Sequence, residues 1–171
     1  MSKFIKNAAI ELAKAKDLAG VGLYLADETD KIVTQHALIA VGSAWIPIPG
    51  ADIAAMTANV WTMYVRINNA LGVKFSDNKM KSIGSAVVSN LVQNLGVAAV
   101  AMALKWNPIS YIASVAVLTG ALYGLTITAG WVYLKALTNM ALNDGDIDRS
   151  IKETLKDKAS ISQVYKDNKK K

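Results

Sequence analysis

The sequence predicts an all-α protein, a bundle of about five to six helices built around a long apolar helical hairpin and associated with a membrane. Three observations carry this. Between Ser82 and Leu134 the only charge is Lys105, which sits beside Trp106-Asn107-Pro108. The uncharged runs on its two sides, Ser82–Leu104 and Trp106–Leu134, each reach the roughly 20 apolar residues a helix needs to cross a bilayer core. Small residues along them (Gly84, Ala86, Gly96, Ala98, Gly120, Gly124) allow helices to approach closely, as at contacts between membrane helices.

From the N-terminus, Ser2 is a candidate cap for a first helix to about Lys16. Phe4, Ile5, Ala8, Ala9 and Leu12 repeat at helical spacing, with Lys3, Lys6, Lys14 and Lys16 mainly off that stripe. Such a basic amphipathic helix could either lie on an anionic membrane or pack on the bundle. Gly20 and Gly22 weaken the helix, and Asp27-Glu28-Thr29-Asp30 reads as a break that caps the next one. That second helix, from about Ile32, should stop near Trp45, because Pro47 and Pro49 restrict the preceding residues and cannot donate to a helix ladder. The turn Pro47-Ile48-Pro49-Gly50 is stiff, and Asp52 can face the N-terminal amides of a third helix from Ile53 to about Ala70.

Ser76 and Asp77 are candidate caps for a fourth helix, half polar over Ser82–Asn94 and almost wholly apolar over Val97–Leu104. Beyond the Trp106–Pro108 turn, a fifth runs from about Ile109 to Met140, with Gly120 and Gly124 forming a GxxxG pair. Asn143-Asp144-Gly145-Asp146 breaks the chain. The expected organisation is one helical domain over residues 1–143, with the hairpin at 82–134, followed by a charged C-terminal helix and mobile tail over 144–171.

The chain of 171 residues is 53% hydrophobic and carries a net charge of +6, so an anionic membrane surface is the expected partner. Nucleic acid is not expected, since no basic stripe interleaved with aromatics is present. There is no cysteine, which removes disulfides, thiol chemistry and cysteine-ligated zinc. Glu11 and Asp17 interrupt any secretory core segment, so a cytoplasmic start is expected.

No catalytic residue, cofactor site or metal site is expected, and the chain reads as a non-enzyme. His36, the sole histidine, reads as a packed or hydrogen-bonded side chain. Asp144, Asp146 and Asp148 begin like a calcium loop, but Arg149 and Leu155 stand where glycine and glutamate are required. Neither GxxxxGK[ST] nor GxGxxG is present.

Around the proline turn, Val41-Gly42-Ser43-Ala44-Trp45-Ile46-Pro47-Ile48-Pro49-Gly50-Ala51-Asp52 is followed by Met63-Tyr64-Val65-Arg66-Ile67 and Leu71-Gly72-Val73. Thr119-Gly120-Ala121-Leu122-Tyr123-Gly124 and Thr126-Ile127-Thr128-Ala129-Gly130 come later. This order resembles the bacterial helical family known as domain of unknown function 697, over roughly Ile32–Met140. The resemblance implies a small membrane or membrane-associated helical domain of the kind often found with GTPases. It carries over no catalytic residues.

Trp106 at one end of the fifth helix and Trp131 at the other suit membrane interfaces. Lys74, Lys79, Lys81 and Lys135 flank the open ends of the hairpin against Lys105 at its tip, which places both termini in the cytoplasm at the inner membrane. Two functions follow. One is a non-enzymatic membrane module that scaffolds, homo-oligomerises or recruits a partner such as a GTPase. The other is a soluble, cytoplasmic bundle that binds a partner helix, a lipid or another hydrophobic ligand. A proton or ion path is the weakest reading, since Lys105 is the only ionisable side chain in the hairpin apart from tyrosines.

Overall fold

The computed structural model describes residues 2–48, 51–73, 78–93 and 111–169, and among them it contains seven α-helices and no strand. These are α1 (Lys3–Ala15), α2 (Gly22–Ser43), α3 (Ala51–Ala70), α4 (Asn78–Gln93), α5 (Tyr111–Leu142), α6 (Ile147–Lys156) and α7 (Lys158–Asn168), with a 3-10 turn at Ala19–Val21. The all-α expectation holds.

The apolar stripe of α1 buries Ile5, Ala8, Ala9, Leu12 and Ala13, one helix face at the expected spacing. Its start differs from expectation. Ser2 accepts from the Ile5 and Lys6 amides through its backbone carbonyl, while its side chain makes no capping bond. Instead, the Ser2 backbone N–H donates to Asp30 Oδ1 at 2.7 Å, a buried bond that ties α1 to the middle of α2.

That bond explains a second correction. The acidic run at residues 27–30 does not break the chain, because α2 is continuous for 22 residues. Asp30 is buried on Ser2, Thr29 is buried beside it, and Asp27 pairs with Lys6 of α1. Tertiary partners hold the two aspartates, so they do not compete for the backbone as caps do.

As expected, α2 stops two residues before Trp45 and ahead of Pro47. α3 ends through Gly72 at φ 68°, where the Val73 N–H donates to Asn68 O at 2.8 Å. α4 buries Met80, Ile83 and Val87 on one face. The aspartate cluster is a turn and cap: Asp144 and Gly145 take positive φ, and Asp146 Oδ1 accepts the Arg149 amide at 3.0 Å to start α6. Beyond it, where the sequence suggested a tail, Asp157 caps a further helix, α7.

α5 is the axis of the bundle. At 32 residues it touches every other described helix, and Leu118, Leu122, Ile127, Tyr133 and Leu134 are fully buried along it. It runs antiparallel to α2: the Tyr111 hydroxyl donates to Trp45 O at 3.3 Å at one end, and Gly130 meets Val33 further on. Its length and composition suit a membrane span, yet 61% of its most apolar window is buried inside the bundle.

Candidate functional site

Two features outside the packed core stand out. The first is a polar relay between α2 and α3. His36 lies on the buried side of α2, and Asn59 of α3 grips it twice. The Asn59 Nδ2 donates to the His36 carbonyl, and Asn59 Oδ1 accepts from His36 Nδ1, each at 2.7 Å. With Nδ1 carrying the proton, Nε2 presents a lone pair, and Arg66 Nη1 donates to it at 3.2 Å. Arg66 Nη2 donates to Gln35 Oε1 at 2.9 Å, which fixes the guanidinium plane. Burial holds the His36 pKa below its ordinary value, and the neighbouring Arg66 charge pushes the same way against the Asn59 bonds. The imidazole is therefore a neutral strut behind a charged arginine.

Arg66 in turn lines a cleft of about 340 Å³ between the N-terminal half of α2 and the end of α3. Tyr24, Glu28 and Ile32 repeat every four residues along the α2 wall, and Arg66, Asn69 and Ala70 form the facing wall. The expectation of a hydrogen-bonded His36 thus holds, while the cleft it supports gave no signal in sequence. Its residues come from helix positions far apart in the chain.

The second feature is an end of the bundle that carries no charge other than Asp52 among the described helix stretches that form it. From Ile32 to Val65 the only formal charge is Asp52, and from Tyr111 to Leu134 there is none. The antiparallel packing of α2 and α5 brings these stretches together. Leu38, Ile39, Trp45, Ile48, Ile112 and Val117 are all exposed there, Ile112 to 76% and Trp45 to 60%. Basic residues follow behind them. Lys3 is exposed at the start of α1, and Lys169 lies beside Gly120 and Gly124 at the end of α7.

Of the residues singled out from sequence, Gly120 and Gly124 have a definite use. A Cβ built at Gly120 would stand 2.6 Å from the Lys169 carbonyl oxygen, and one at Gly124 would stand 3.1 Å from Tyr165 Cδ2. The pair forms the seat of α7 within the same chain. Trp131 is 9% exposed and packs in the core. Pro47 lies in the turn after α2. Lys105, Trp106, Pro108, Pro49 and Gly50 lie outside the described residues, as does the Asp52 side chain. Among the described residues, no group of three or more histidine, aspartate or glutamate side chains is placed to hold a metal ion. No family model, curated protein or solved structure matches the chain.

Proposed function

We propose that this chain is a non-enzymatic, membrane-associated helical module, seated on an anionic bilayer by the uncharged end of the bundle. It acts as a scaffold, oligomerising unit or adaptor that recruits a partner to the cytoplasmic face of the inner membrane. The observation that carries this is the separation of charge along the bundle. Exposed tryptophan, isoleucine and leucine side chains occur on the two stretches that α2 and α5 bring together, and exposed apolar side chains in such number mark an interaction surface. Lysines behind it match anionic headgroups, each contributing about 1 kcal/mol near such a surface. The charged helix α6 and the N-terminal turns of α2 are left to meet a protein partner, a GTPase by the family resemblance.

This seating differs from a fully inserted hairpin in leaving α5 inside the bundle. Flotation of the intact chain with phosphatidylglycerol-containing vesicles tests it. Co-flotation that weakens when Trp45 and Ile112 are changed to serine is expected; a monomer that stays with the soluble fraction sinks the proposal. The burial of α5 favours a second reading, a soluble bundle whose exposed apolar end binds a partner helix or a lipid.

A further inference from the structure

The α2–α3 cleft brings an acid and a base to facing walls without joining them. Glu28 and Arg66 both line it, yet no ion pair forms between them. Among the described residues, the hydrogen bonds of Arg66 go to two neutral side chains, Gln35 and His36. Arg66 is fixed by the Asn59–His36 relay on one side and by Gln35 on the other. The rest of its planar N–H fork is left for an oxyanion.

We propose that this cleft binds a small zwitterion, a primary ammonium joined by a short chain to a carboxylate or phosphate. The oxyanion takes the free N–H donors of Arg66, and the ammonium faces Glu28. That ammonium also lies at the C-terminal end of α3, where Asn69 and Ala70 line the wall and the helix dipole favours positive charge. Tyr24 and Ile32 cover the connecting carbons. A volume of about 340 Å³ is at the small end of ligand pockets, which run from roughly 300 to 1,000 Å³. It suits a molecule the size of an amino acid. A ligand bearing one charge would meet only one of Glu28 and Arg66, so the site discriminates by charge pairing.

The cleft lies at the end of α2 away from the proposed membrane seat, so the ligand is a free, soluble zwitterion. Backbone amide spectra of the full chain, titrated with β-alanine and phosphoethanolamine, test this, and vesicles containing phosphatidylethanolamine should leave the same residues unmoved. Saturable shifts at Tyr24–Ile32 and Arg66–Ala70 with either free probe are expected, and acetate or ethylamine alone should bind at least about tenfold more weakly. Arg66→Lys keeps the charge and loses the fork, so it should weaken binding about tenfold while leaving the spectrum of the fold intact. Glu28→Gln should abolish the preference for the zwitterion over acetate. Binding of acetate as tight as that of β-alanine, equal affinity in both variants, or no shift with any probe overturns the assignment.

Discussion

Val33 of α2 rests directly on Gly130 of α5, with no room for a side chain between them. A Cβ built at Gly130 would stand 2.8 Å from both methyl carbons of the valine, closer than real Cβ contacts come. The β-branched valine has little rotameric freedom on a helix, so it cannot swing aside. Gly130→Ala is therefore expected to destabilise the fold by about 1–3 kcal/mol through overpacking, despite the gain in helix propensity. Gly42 is the internal control, because nothing lies within 4 Å of a Cβ built there. Gly42→Ala should stabilise by up to about 1 kcal/mol. Urea unfolding of both variants checks the pair, and equal shifts would contradict the close crossing of α2 and α5.

The seat of α7 makes a different prediction. A methyl at Gly120 would meet the backbone carbonyl of Lys169, which cannot move without moving the helix end. Gly120→Ala with Gly124→Ala should lift α7, whose only buried side chains are Val164 and Asn168, and leave the α1–α2–α5 core folded. Hydrogen exchange in residues 158–168 should accelerate about tenfold or more, with much smaller change in α1. If the two glycines instead paired two copies of α5, the double variant would lower the oligomeric state and leave α7 exchange as it was.

The sequence carried the helical class, the end of α2 ahead of Pro47, the ends of α3 and α5, and the aspartate turn into α6, because local signals dictate each of these. Periodicity, proline and capping chemistry act over a few residues. What it did not carry depends on contacts distant in the chain. Asp27 and Asp30 look like a helix break until Lys6 and the Ser2 amide are brought to them. The Gly120–Gly124 pair suggested contact between membrane helices, and only the docking of α7 shows what fills the gap. The length of α5 was legible, but its burial depends on helices packed around it, six of them among the described residues. The His36–Arg66 relay joins positions on two helices, and no spacing in the chain announces it.

Protonation of His36 should cost stability, and the sign follows from its environment. Its pKa is lowered in the folded state, from an ordinary 6.5, mainly by burial. The unfolded chain therefore takes the proton first as pH falls. The contribution is fully present above the unfolded value and is lost as the pH drops below about 6.5 towards the folded value. A proton on Nε2 would also face Arg66, and Asn59 and Gln35 around them carry no charge to compensate. Unfolding free energy should fall between about pH 7 and pH 5 in the parent chain. His36→Gln should flatten that slope, and a slope unchanged by the substitution would remove His36 as its source.

Ile112 gives the sharpest test of membrane seating, because it is 76% exposed and contributes little to folding where it stands. Ile112→Asp should leave the unfolding midpoint within about 0.5 kcal/mol of the parent, as exposed substitutions do. On a bilayer, its transfer into the apolar layer would contribute about 1.5–3 kcal/mol, and the aspartate would add the cost of burying a charge. Vesicle affinity should then fall by about tenfold or more, with Trp45 losing the blue-shifted emission expected of a tryptophan in the acyl region. Lys169→Glu should weaken binding to phosphatidylglycerol vesicles but not to neutral ones, by about fivefold for each lysine lost near the surface. The two effects separate apolar seating from electrostatic attraction. If Ile112→Asp binds vesicles as the parent does while Lys169→Glu does not, attachment is through charge alone and the uncharged end faces a protein.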